Sequence, residues 1–155
     1  MSELELRHVE GKLEIAACYP VMVLLRPHLG SADELVARIT RQRDAGYRLL
    51  ALWRAGTPVA LAGYRFEENL IHGRFVYVDD LVTAADERRG GLGARLLDAV
   101  AMIGRDAGCA RLVLDTALDN VLAHRFYYRQ GMLARALRFS RPLEPPAGAA
   151  MTPVR

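Results

Sequence analysis

The sequence predicts an α/β fold, a mixed and mostly antiparallel sheet with helices on both faces. Three observations predict it. Runs rich in β-branched and aromatic residues, Tyr47–Trp53, Val59–Phe66 and Phe75–Thr83, follow one another across short connections, which makes them antiparallel neighbours. After the third run, Leu92, Leu96, Leu97, Val100 and Ile103 recur at helical spacing, and another apolar run, Arg111–Thr116, comes next. Such a strand–helix–strand passage joins parallel strands by a right-handed crossover. Finally, 155 residues, 52% hydrophobic and 25% charged, suit one globular domain with a sizeable core.

Taken in order, Leu4 and Leu6 alternate with charged residues and predict a first strand near Glu3–Val9. Gly11–Arg26 is largely apolar and helical, with Pro20 forcing a kink or a break. Pro27–Gly30 is a turn. Ser31-Ala32-Asp33-Glu34 has the spacing of a capping box, and the helix it opens ends at Gly46. Gly56-Thr57-Pro58 is a hairpin turn between the first two apolar runs, and Glu67–Gly73 connects the second to the third. Ala84–Glu87 is a polar turn. Leu118–Gln130 reads as a helix and Leu133–Phe139 as a closing strand. The domain is expected over residues 1–140, with 141–155, rich in proline, alanine and glycine, as a loose tail.

The charge balance excludes some functions. Net charge is +3, Lys12 is the sole lysine, and no long basic run exists, so a nucleic-acid partner is not expected. Glu3, Glu5, Arg7 and His8 interrupt any N-terminal leader, and no stretch is apolar enough to span a membrane. The 2 cysteines, Cys18 and Cys109, lack metal-ligand spacing and point to a reducing, cytoplasmic setting. His72 and His124 have no partners at metal-like spacing, so no metal is expected.

The most informative stretch joins the third strand to the long helix. It reads Arg88-Arg89-Gly90-Gly91-Leu92-Gly93-Ala94. A helix start leaves backbone N–H groups unpaired and carries positive dipole character. Glycines let a ligand come close to that backbone, and arginines add charge and donors for phosphate oxygens. The combination is an anion site, best suited to a pyrophosphate. It is neither the nucleoside-triphosphate loop, which needs Gly-Lys-Ser/Thr, nor the dinucleotide Gly-x-Gly-x-x-Gly. Just before it stand Asp79 and Asp80. Side chains alternate along a strand, so only one of the two faces the cleft unless a bulge breaks the pattern.

Arg88-x-x-Gly91-x-Gly93 after a strand resembles the acetyl-CoA signature of the GCN5-related N-acetyltransferases (GNAT). A second segment carries the resemblance: Leu112–Asp115, Asn120, then Ala123-His124-Arg125-Phe126-Tyr127 with Gly131-Met132. Met132 stands where that family usually has phenylalanine. The resemblance runs from about Leu4 to Phe139. It implies a three-layer fold with a sheet of about six to seven strands, two of whose parallel strands splay apart around the pantetheine arm. It implies transfer of an acetyl group from acetyl-CoA to a primary amine in a ternary complex. By the same resemblance Leu81, Val82 and Thr83 pair with the pantetheine, and an amide near Leu81 polarises the thioester. Arg88, Arg89, Gly90, Gly91, Leu92, Gly93 and Ala94 hold the pyrophosphate, Asn120 contacts the coenzyme arm, and Tyr127 is the acid toward the sulfur. Asp80, ahead of Asp79, is the candidate proton acceptor, through water. Glu67 and Glu68 offer an acidic rim, while Arg26 and His28 end the first helical segment near the family's acceptor pocket. The acceptor is an amine-bearing small molecule or peptide, and homodimers are common in the family. The alternative is a CoA-binding sensor or structural module of the same fold without catalysis.

Overall fold

The structure, a computed structural model, describes residues 2–144. It divides after Leu114 into two compact units.

The first unit is built on a five-stranded sheet in the order β1-β2-β3-β4-β5. The strands are β1 (Leu4–His8), β2 (Arg48–Arg54), β3 (Thr57–Asn69), β4 (Gly73–Thr83) and β5 (Arg111–Leu114). The first four pair antiparallel, and β4 and β5 pair parallel across the helix α4 (Leu92–Asp106). The mixed sheet is as expected, with five strands rather than six or seven.

Helices flank both faces. On one, α1 (Lys12–Ala17), α2 (Tyr19–Leu25) and α3 (Ala32–Arg43) bury Ile15, Met22, Leu35 and Ile39 against Leu49, Ala51, Trp53 and Leu61. The expected first helix is two helices broken at Cys18, with Pro20 in the first turn of α2, where its missing N–H costs nothing. Ser31 caps α3 by accepting from the Glu34 N–H at 3.1 Å. The Glu34 carboxylate reaches back to the Gly30 N–H, one residue before the expected capping-box partner. On the other face α4 buries Leu92, Leu96, Leu97 and Val100. Each such side chain removed from water contributes about 1.5–3 kcal/mol. The part-exposed ion pairs contribute about 0–1 kcal/mol each. The core therefore holds the fold, and the ion pairs adjust its details.

The hairpin of β3 and β4 is longer than expected. Glu67, Glu68 and Asn69 belong to β3, and only Leu70, Ile71 and His72 form the turn. The Asn69 side chain closes it, accepting from the backbone N–H groups of Ile71 and His72.

His8 ties β1 to β3, its Nε2 lying 2.7 Å from the hydroxyl of the buried Tyr64. Burial lowers the His8 pKa below the ordinary 6.5. The unfolded chain therefore binds a proton that the folded one refuses. Stability is present above pH 6.5 and is lost as pH falls toward the lowered folded value. Denaturation midpoints are expected to decline through this window, and to decline less in His8→Gln, as chemical denaturation at stepped pH would read.

The second unit holds α5 (Val121–Arg129). Asn120 caps it, accepting from the Ala123 N–H at 3.2 Å. The expected closing strand Leu133–Phe139 is not formed; these residues are exposed and without regular structure. Their alternation, Leu133, Arg135, Leu137, Phe139, fits a strand, but a strand needs a partner and none of the five pairs with them. The expected tail begins at Arg141, and its residues 145–155 lie outside the described residues.

Candidate active site

The site begins where β5 leaves β4. The two strands pair from Phe75 with Arg111 to Val78 with Leu114, and there the pairing ends. β4 continues to Thr83 and there, among the described strands, pairs with β3. Leu81, Val82 and Thr83 oppose Ala62, Leu61 and Ala60 on that side. On the other side the pairing with β5 does not extend to this half of β4.

A β-bulge sits just past the end of the β4–β5 pairing. Val78 opposes Tyr64 and Asp80 opposes Gly63, so Asp79 is the extra residue on β4. The bulge cancels the usual alternation and turns both aspartates to the face that α1, α2 and α3 cover. Asp80 Oδ2 accepts from the hydroxyl of Tyr47 at 2.8 Å, and its Oδ1 accepts from Arg26 Nε at 2.8 Å. Arg26 also donates through Nη2 to the Asp79 carbonyl. Asp79 Oδ2 accepts from Arg65 Nε at 3.0 Å, and Arg65 reaches Gln42 on α3 through Nη2. Burial raises the Asp79 pKa, and Asp80 and Glu67 reinforce that while Arg65 opposes it. Burial, with the charge of Asp80, pushes the Tyr47 phenol well up, so Tyr47 stays a donor. The ring of Tyr47 lies against Gly63, where a Cβ would be 2.7 Å from its Cε2 and closer still to its hydroxyl.

Beyond Thr83 the chain forms a 3₁₀ turn, Ala85–Glu87, and then the glycine-rich loop. Arg88 is extended at φ −63°, ψ 151°. Arg89 is left-handed at φ 72°, a strained state for a residue with a Cβ. Gly91 is left-handed at φ 75° and is the N-cap of α4. No side chain caps that helix start, and nothing lies within 4 Å of a Cβ placed on Gly91. The N–H groups of Leu92, Gly93 and Ala94, at the helix start, have no partner within the helix, and Arg88, Arg89 and Gly90 beside them are exposed. Buried Leu92 anchors the helix start in the core.

In the second unit Tyr127 is half-buried on α5, its ring edge-on to Phe126 at 5.3 Å. Burial raises its pKa, which keeps the phenol protonated. The exposed Asn120 spends its carboxamide oxygen on the helix cap. Cys18 is fully buried, its thiol pushed up to about 12 by burial, and Cys109 is also a free thiol. Among the described residues, no group of three His, Cys, Asp or Glu could hold a metal ion, and no helix is long and apolar enough to cross a membrane.

Sequence reasoning singled out Arg26, Asp79, Asp80 and the loop; the aspartates lie on β4, the loop follows it, and Arg26, at the end of α2, reaches across to both aspartates. It missed Tyr47, Arg65, Arg54 and Glu87, whose partners lie 14 to 33 positions away. Gly63 inside a strand was the available signal for the bulge and for the close approach of Tyr47.

The comparisons with known proteins agree with this layout. The family model for "Acetyltransferase (GNAT) family" matches residues 16–132. A Bacillus subtilis (strain 168) protein named "Uncharacterized N-acetyltransferase YhdJ" is 30% identical over 141 residues, covering 90% of this chain and 99% of its own length. "Aminoglycoside N(6')-acetyltransferase type 1" of Stenotrophomonas maltophilia is 30% identical over 124 residues, covering 75% of this chain and 81% of its own. Among solved structures, an aminoglycoside N-acetyltransferase of type AAC(6')-Iy in complex with CoA shares the fold, with a TM-score of 0.79 at 18% identity, over 92% of this chain and 96% of that one. A Trypanosoma brucei acetyltransferase gives 0.77 at 23% identity, over 91% of this chain and 100% of that one. With a family model over residues 16–132 and a relative 30% identical over most of both chains, the chain belongs to the GNAT family of acetyltransferases.

Proposed function

We propose that this acyltransferase moves an acetyl group from acetyl-CoA to a primary amine by direct transfer in a ternary complex. The observation that carries the reading is that β4 runs on past its pairing with β5 and leads, through the glycine-rich turn, to the start of α4. A strand that outruns its parallel partner and leads to a helix start suits a ligand with an amide-bearing arm and a diphosphate. The residues fit coenzyme A: a Cβ at Gly91 meets open space, and three arginines, Arg88, Arg89 and Arg95, lie exposed nearby in sequence.

Coenzyme A, when bound, supplies the activated thioester. The chain's own residues do the rest. Leu81, Val82 and Thr83 hold the arm through their backbone, and the amide near Leu81 faces the carbonyl oxygen, where charge develops. Residues Arg88 to Ala94 hold the diphosphate, and Asn120, whose carboxamide oxygen caps α5, contributes its NH2 group to the coenzyme arm. The amine must shed a proton as its nitrogen bonds to carbon and the carbon–sulfur bond breaks. The Asp79–Asp80 pair takes that proton through water. Asp79, whose proton affinity burial raises, is the better acceptor of the two, and Asp80 is held between Arg26 and Tyr47. Tyr127 returns a proton to the leaving sulfur. Glu67 and Glu68 stand exposed on the same hairpin, which favours a cationic acceptor such as an amino sugar or polyamine. The setting is the cytoplasm.

Calorimetric titration with acetyl-CoA, CoA, ATP and NAD tests the donor, and an amine panel tests transfer. Binding of the two coenzyme A forms alone, with transfer to some amine, supports the reading. Tight CoA binding without transfer to any amine would make the chain a coenzyme-binding module. Tyr127→Phe is expected to lower kcat by roughly a hundredfold while leaving CoA affinity within about threefold. An unchanged kcat removes Tyr127 from the mechanism.

A further inference from the structure

We propose that Arg54 is a positioning residue for the diphosphate of the coenzyme, acting through Glu87; the inference rests on the coenzyme reading of the glycine-rich loop. Arg54 is the last residue of β2, and Glu87 is the last residue before that loop. Arg54 Nε and Nη2 donate to the two carboxylate oxygens of Glu87 at 2.9 and 3.1 Å, the two-pronged geometry that fixes both planes. Its third nitrogen, Nη1, donates to the Ser2 carbonyl at 2.7 Å. Each side chain is about a quarter exposed, at 24% and 22%, so the pair is neither loose nor sealed.

Two consequences reach the loop. The first is mechanical. The loop folds back on Glu87, since a Cβ on Gly90 would lie 3.3 Å from the Glu87 carbonyl oxygen. Between them Arg89 is held left-handed at φ 72°, a state that persists only where its surroundings impose it. The Arg54–Glu87 pair is the fixed point from which this turn springs, anchored in the sheet. The second is electrostatic. Glu87 is a carboxylate at the entrance of a site for a doubly anionic group. Arg54 neutralises it in place; without that partner the carboxylate would oppose the ligand it helps to shape.

An ordinary loop strap would serve the whole fold and affect every ligand alike. A diphosphate-positioning pair affects only ligands that carry the diphosphate. The test is calorimetric affinity for CoA and for pantetheine, which lacks the diphosphate, in the wild type, Arg54→Ala, Glu87→Gln and the double variant. Arg54→Ala is expected to weaken CoA roughly tenfold and pantetheine less than twofold, the size of one lost charge-assisted contact. Adding Glu87→Gln to Arg54→Ala is expected to recover CoA affinity by about threefold, because the unpaired charge is gone. Equal weakening of both ligands, or none, overturns the inference. Should Arg54→Ala fail to fold, Arg54→Lys keeps the charge and loses the two-pronged geometry, and the same CoA-to-pantetheine ratio decides. A wild type that binds pantetheine as tightly as CoA would instead overturn the coenzyme reading of the loop itself.

Discussion

Gly63→Ala is expected to lower the unfolding free energy by roughly 2–3 kcal/mol, a shift of about 5–10 °C in Tm, and to depress acetyl transfer further than that loss explains. The added methyl would overlap the Tyr47 ring, at 2.7 Å from Cε2 and nearer still to the hydroxyl. Tyr47 is buried and cannot swing into solvent. Either the ring shifts and releases Asp80, or β3 moves away from it. The first outcome leaves a buried phenol without its acceptor and Asp80 held by Arg26 alone. The second distorts the bulge that brings Asp79 and Asp80 together. Differential scanning calorimetry and steady-state kinetics read the two losses separately. A variant with unchanged Tm and unchanged kcat would show that the Tyr47–Asp80 contact is dispensable.

Gly91→Val is expected to weaken CoA by roughly 30–100-fold while moving Tm by only a few degrees. Gly91 sits at φ 75°, a region a β-branched residue enters at a cost of about 1–3 kcal/mol. The space around its absent Cβ is open, so the penalty is conformational and not a clash with the fold. The loop can relieve it by unwinding the start of α4, which scatters the N–H groups an anion needs. Equilibrium titration with CoA checks this, and retained full affinity would remove the loop from the coenzyme site.

Local chemistry was readable in the sequence to the extent that it acts locally. Pro20 broke the first helix where a missing N–H demanded it, and Ser31 capped α3. The β4–loop–α4 passage was legible because its turn, its glycines and its apolar helical face are contiguous. Leu133–Phe139 misled because alternation records which residues would share a face and says nothing of whether a neighbouring strand exists. The Arg54–Glu87 pair was illegible for the converse reason. Either residue alone reads as an ordinary charge at the end of a strand or in a polar turn, and only the folded sheet brings them together. The aspartates lay between these cases: alternation allowed one at the site, and the bulge, signalled by Gly63, admitted both.

The extra residue in β4 also sets the phase of everything after it. Up to Asp79, odd-numbered side chains face the α1–α3 layer, as Tyr77 does opposite Arg65; from Asp80 onward the even-numbered ones do, and Val82 packs into that core. Were the same residues to run on without the bulge, the remainder of the strand would be inverted, with Leu81 and Thr83 inward and Val82 out. The position that carries a candidate proton acceptor is thus also a spacer. A change of side chain at 79 alters chemistry alone, whereas its deletion would remove the bulge and leave Val82 on the core face.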